Sequence, residues 1–191
     1  MSEVLGRVDK LSPERRALLQ KILRQQTGPV HEPDAIRPRE GVGPAPLSFA
    51  QERLWFIDRM EPGNAGYNVV TALRLQGALD VDALRRSLGE IVRWHEALRT
   101  VFAEVDGRPV QRVQPFAGFP LAVEDVSKEG LPQAEREMAM RFAEEAKRGF
   151  DLSAGPLVRV RLLRLGRGDH ALLLVLHHVV SDGWSLGILF R

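Results

Sequence analysis

The run "LHHVVSDGWS", residues 176–185, places two histidines, an aspartate, a glycine and two serines close together at the end of a long apolar stretch. Histidine is the side chain whose ordinary pKa lies nearest neutrality. The pair at His177 and His178 therefore admits three uses: metal ligation, acid–base chemistry, or filling a core. On a strand, successive side chains point to opposite faces. His177 would then share a face with Val175 and Val179, and His178 with Leu176 and Val180. Both could serve one metal ion only across a bulge. Asp182 offers a third ligand, but two histidines on one helix face would be the stronger metal signature.

Asp182 and Gly183 fall where the strand gives way to a helix. The start of a helix carries unpaired N–H groups and partial positive charge, which suits a developing oxyanion. Gly183 lets a substrate or another chain come close to the backbone. A histidine beside such a helix start should resist protonation and stay able to accept a proton at pH 7. Asp182 has two roles open to it, a helix cap or a part in catalysis.

The elements that must position these residues are legible in the patterning. "LSPERRALLQKILRQQTGP" predicts an amphipathic helix over residues 12–26, with Ser12 as cap, Pro13 at its first position, and Leu18, Leu19, Ile22 and Leu23 as its apolar stripe. Residues 27–46 are rich in proline and glycine and read as an extended linker. A further helix starts after Ser48, with Phe49, Ala50, Leu54, Trp55 and Ile57 expected inward. "VVTALRLQG" alternates as a strand, with Val69, Thr71, Leu73 and Leu75 on one face. Asp80 caps a helix carrying Val81, Leu84, Leu88, Ile91 and Val92, with His95 next on that face. Asp106-Gly107 is the favoured two-residue turn of a hairpin over "RTVFAEVDGRPVQRVQ". A helix from about Pro132 to Arg148 turns Met138 and Phe142 inward. Two strands joined through "GRGD" follow, and the second, apolar on both faces, suits a central strand. "DGWSLGILFR" begins a last helix without a terminator, so the chain looks cut within it. Strands interleaved with helices and adjacent hairpins define an α+β two-layer sandwich with a mixed β-sheet.

Composition narrows the function classes. The 191 residues are 44% hydrophobic and 27% charged, with a net charge of +2 and no cysteine. Disulfides, thiolate metal sites and cysteine nucleophiles are therefore excluded. The basic residues are dispersed, which argues against a nucleic-acid partner. The N-terminus lacks a signal-peptide pattern. The longest apolar run is far short of the ~20 residues of a membrane helix. A cytoplasmic protein with no membrane partner is expected.

With the motifs in view, the sequence resembles the condensation domain of nonribosomal peptide synthetases. The family's H-H-x-x-x-D-G signature reads here from His177 to Gly183. "SFAQERLW", from Ser48 to Trp55, is similar to its first motif, and "HEALRTVF", from His95 to Phe102, to its second, with Trp94 standing where that motif has arginine. "FDLSAGPLVRVRLLRL" is similar to the stretch before the histidines. The resemblance runs over residues 47–191 and implies the first, N-terminal half of a chloramphenicol acetyltransferase-like fold, whose second subdomain is the missing partner. "AQERLW" with "SDGWS" looks like the subclass that joins an L-donor to an L-acceptor.

The resemblance also implies a mechanism. Upstream donor and downstream acceptor carrier proteins deliver phosphopantetheine arms from opposite ends of a tunnel, and the chain itself binds no cofactor and no metal. The acceptor amine attacks the donor thioester and a peptide bond forms. His178 is the catalytic residue by motif position, supported by Asp182 as the aspartate that orients the loop and by Gly183 as an N–H near the reacting carbonyl. His177 and Arg99 are supporting motif residues. Three other readings stay open. An ester-forming relative would share this half of the site, and a cyclising one would usually replace the histidines by aspartates. A half-domain kept only for carrier docking would be inactive. The N-terminal helix is either a linker or a docking element, and Met1 suggests that the domain opens its polypeptide.

Overall fold

The computed structural model describes Gly41 and residues 43–190. The helix expected over 12–26 and the expected linker before Gly41 lie outside those residues. The end of that linker is not linker: Ala45–Pro46 form a short strand, β1, paired with Gln111 and Val110. Then come α1 (Phe49–Met60), β2 (Asn68–Gln76), α2 (Val81–Trp94), β3 (Thr100–Val105), β4 (Arg108–Val113) and β5 (Ala122–Asp125). The chain continues with α3 (Leu131–Lys147), β6 (Val158–Gly166), β7 (Asp169–His177) and α4 (Gly183–Leu189).

The strands make two sheets. β1, β4 and β3 form an antiparallel ribbon, closed by the Asp106-Gly107 turn with both residues at positive φ (49° and 73°), as a two-residue hairpin turn requires. The larger sheet has the order β2-β7-β6-β5. Its first three strands are antiparallel, and β5 joins β6 in parallel, so the sheet is mixed. The expected α+β sandwich with a mixed sheet is thus present.

β7 is the inner strand that its two-sided apolarity demands. Leu172, Leu174 and Leu176 face one way, into a cluster with Val92, Leu121, Val158, Val160 and Leu162. Leu84 and Leu88 of α2 cover this cluster. Asp80 starts α2 by accepting from the N–H of Ala83 at 2.9 Å. On the opposite face Leu173 and Val175 meet Phe102, Phe150, Leu157 and Val179, with Leu54 and Trp55 of α1 packed over them. Ala134, Met138 and Phe142 of α3 close on Leu163, Leu165 and Ala171.

Two side-chain expectations fail at helix ends. Phe49 is 91% exposed and Ala50 is exposed as well. The Ser48–Gln51 capping box fixes the start of α1 so that Leu54, Trp55 and Ile57 turn inward. At 100° per residue this leaves Phe49 on the outer side, with Phe56 and Met60. His95 does not continue the apolar face of α2. Extended backbone there (φ −98°, ψ 100°) ends the helix at Trp94 and leaves the imidazole exposed.

Candidate active site

The strand ends between the two histidines. His177 is the last residue of β7, and its N–H bonds Leu157 O at 3.0 Å. The next N–H, that of His178, bonds Tyr67 O at 2.9 Å, and residues 178–180 form a turn closed by Val180 N–H on His177 O (3.1 Å). The expectation of a strand carrying both histidines on opposite faces is corrected accordingly. Strand pairing stops at His177, because the backbone turns to meet Tyr67 at the head of β2.

The two rings do different work. His177 is 2% exposed, and its Nδ1 accepts the Val179 N–H at 3.1 Å. An acceptor at Nδ1 places the proton of the neutral ring on Nε2. Burial, and then the neighbouring His178, push its pKa down to about 4, so it is neutral at pH 7. Phe150 meets the His177 ring edge-on, with centroids 6.1 Å apart and planes at 86°, and Tyr67 lies tilted at 6.4 Å.

His178 is exposed, and its Nδ1 lies 2.6 Å from Ser181 O. A carbonyl can only accept, so Nδ1 carries the proton and the lone pair of the neutral ring sits on Nε2. The turn therefore fixes opposite tautomers on adjacent histidines. That of His178 leaves its acceptor lone pair on Nε2.

His178 lines a cleft of about 940 Å³ together with Ser48, Gln51, Arg53, Tyr67, Asp182 and Trp184. Gln51 ties the wall together: its Oε1 accepts from Ser48 N–H (3.0 Å), and its Nε2 reaches Val179 O at 3.5 Å. Asp182 is a helix cap. It accepts from the Ser185 N–H at 2.8 Å and the Ser185 hydroxyl at 2.6 Å, while its own N–H is bonded by Ser185 Oγ. These contacts with Ser185 hold its carboxyl below the usual carboxylate range. The helix start expected to receive an oxyanion is thus partly taken up by the chain's own cap. Gly183 opens α4, and no atom stands within 4 Å of where its Cβ would be, so nothing within the described residues requires glycine there.

Arg99 stands elsewhere in the fold. It donates to the carbonyls of Val92 (3.1 Å) and Arg93 (3.1 Å) at the end of α2 and to that of Gln114, fastening helix to ribbon. Trp94, in the place of an arginine, is 73% exposed with Arg93 stacked on it. Among the described residues, no group of three or more His, Asp or Glu side chains is placed to hold a metal. Nor is any described helix long and apolar enough to cross a membrane. Sequence reasoning missed Tyr67, Arg53 and Gln51 as walls of this cleft. Gln51 and Arg53 sat in a motif already in hand, whereas Tyr67 had no signal beyond being the only tyrosine.

A cleft lined by the start of α4 and by a histidine with its acceptor lone pair on Nε2 suits acyl transfer. The folds of solved condensation domains match this one. The first condensation domain of the calcium-dependent antibiotic synthetase superposes with a TM-score of 0.67 at 28% identity, over 75% of this chain and 34% of that one. The starter condensation domain of rhizomide synthetase RzmA gives 0.66 at 23%, over 74% and 35%, a likeness of fold. Residues 43–191 match the condensation-domain family, and the chain belongs to it, as a condensation-domain segment of the nonribosomal peptide synthetases. It is 44% identical over 193 residues to phosphinothricin tripeptide synthetase PhsC of Streptomyces viridochromogenes, covering 100% of this chain and 18% of that protein. To a linear gramicidin synthase protein of Brevibacillus parabrevis it is 44% identical over 156 residues, 82% of this chain and 2% of that protein. The chain thus spans a small part of these relatives.

Proposed function

We propose that this chain supplies the histidine-bearing wall of a condensation site that forms a peptide bond between two carrier-bound thioesters, of the L-donor, L-acceptor kind. The observation that carries the reading is the His178 tautomer: Nδ1–H is held by Ser181 O, which leaves the acceptor lone pair on Nε2 of a ring that lines the cleft. The acceptor amine attacks the donor carbonyl, the thiolate leaves, and the amine's surplus proton must go to a base. A free α-amine has a pKa of about 7.7–8.0, so roughly a tenth or more of it is neutral near pH 7. Activation before attack is therefore worth less than for a hydroxyl. His178 orients the amine through Nε2 and takes the proton late, from the tetrahedral intermediate. Asp182, the cap of α4, orients the loop after His178, and Gly183 offers its N–H near the reacting carbonyl. The second wall comes from a further subdomain, and upstream and downstream carrier proteins present the two phosphopantetheine arms.

The test is intact-protein mass spectrometry of a loaded acceptor carrier mixed with a loaded donor carrier. The chain is assayed alone, extended through a second subdomain, and extended with His178→Ala. Dipeptide on the acceptor with the extended wild type alone supports the proposal. No product from any form favours a part that only docks carriers, and an ester product from a hydroxyl acceptor favours the ester-forming relative. A solvent isotope effect near unity, with His178→Ala still impaired, would remove proton transfer from the role of His178.

A further inference from the structure

The face of the sheet opposite α2 holds a buried charge. Glu145, near the end of α3, is 3% exposed and accepts from Arg159 Nε (3.0 Å) and Arg161 Nε (3.1 Å) on β6, and from Arg148 (3.1 Å). A buried carboxylate persists only when paired and hydrogen-bonded in this way. Arg159 does more than neutralise it. Its guanidinium also donates to the carbonyls of Glu145 (3.3 Å), Gly149 (3.2 Å) and Arg148, collecting the end of α3 and the backbone that leads into Phe150. That backbone is tightly placed. A Cβ on Gly149 would come within 1.9 Å of Gly63 O, so only glycine fits there.

The same guanidinium lies over Phe150, with Cζ 3.7 Å from the ring centroid. The ring of Phe150 also meets His177 edge-on, and His177 Nδ1 holds the Val179 N–H. Cation over ring, and ring against ring edge, are both attractive geometries. Arg161 belongs to the same ion cluster, but the aromatic contact is made by Arg159.

We propose that Arg159 is a positioning residue for the histidine turn, acting through Phe150 and His177. It rests on the reading of His178 as the reacting side chain, but its test does not. Arg159 fixes Phe150, Phe150 fixes the plane of His177, and His177 fixes the N–H that sets the turn and so the pose of His178.

The experiment compares Arg159→Met with Arg161→Met in the full chain, with Phe150→Leu as a second route to the same break. Both arginine variants remove one partner of Glu145, but Arg159→Met also removes the donors to three backbone carbonyls and is expected to lose more Tm than Arg161→Met. Phe150→Leu, which keeps those donors, isolates the aromatic relay. Two readouts separate them: hydrogen exchange at the Val179 amide, and the ¹⁵N resonance of His177 Nδ1, which reports its acceptor state. The expected result is exchange at Val179 at least tenfold faster in Arg159→Met and in Phe150→Leu, with a shifted Nδ1 resonance, and neither change in Arg161→Met. Arg159→Lys, which keeps the charge but not the planar fork, should behave like Arg159→Met. Val179 protected equally in the two arginine variants, or lost equally in both, overturns the proposal. An unchanged Val179 amide in Phe150→Leu overturns it as well, whether or not Arg159→Met folds. Because neither readout needs turnover, a failure here is distinguishable from a failure of the catalytic reading.

Discussion

The end of β7 and the turn after it hold the same side chain in two environments. His177 is buried among Phe150, Tyr67 and Val179, accepts a backbone N–H, and is neutral far below pH 7. His178 is exposed in a cleft and donates to a backbone carbonyl. One residue of sequence separates a ring that serves the backbone from a ring that the backbone serves. The difference teaches that the tautomer is set by which backbone group lies within reach, and only afterwards by solvent.

The comparison breaks most sharply at His178. In a peptide-forming assay His178→Ala is expected to cost on the order of 10²–10⁴ in rate, with Tm and circular dichroism unchanged. The mirror-image variant, His177→Ala, leaves a cavity and an orphan N–H, and should lower stability by about 3 kcal/mol in urea unfolding. His177→Asn, whose side-chain oxygen can replace Nδ1 as acceptor, should recover part of that.

Acid sharpens the same contrast. The unfolded chain protonates His177 near the ordinary pKa of about 6.5, the folded chain only near about 4. Between these values the unfolded state binds more protons, so stability from this ring is full above about pH 6.5 and is lost as pH falls toward 4. The loss amounts to about 3 kcal/mol. Unfolding curves across that window should be flatter for His177→Asn than for wild type; parallel curves would falsify the neutral, buried assignment. The smallest effect belongs to Asp182. Asp182→Ala removes the cap of α4 and should lower Tm by a few degrees, while Asp182→Asn, still able to cap, should restore it.

Much of this was legible in the residues. Alternation at Val69, Thr71, Leu73 and Leu75, the cap at Asp80 and the Asp106-Gly107 turn each carry their own local physics, and each falls where the pattern put it. The end of β7 was not legible. The apolar run continues through Val179 and Val180, and what stops the strand is Tyr67 O, which arrives from the far end of the chain. The exposed Phe49 has the same explanation, since hydrophobicity says nothing of which side a capping box turns outward. Glu145 sits in "AEEAK", which reads as a solvated helix face. The signal that could have found it lies on the strand: "VRVRLLRL" places Arg159 and Arg161 on one face of an inner strand, where paired cations need a buried anion.

The pairing of β2 with β7 has a consequence in time. Asn68 sits opposite His177, and Gln76 opposite Asp169, so two strands far apart in the sequence must find each other. Closing such a long loop is entropically unfavourable, and non-local pairings of this kind slow folding. The β6–β7 hairpin can form early on its own, but His178 acquires its bond to Tyr67 only when β2 docks. A polypeptide in which β2 has not docked therefore carries both histidines without the His178–Tyr67 bond that ends the strand.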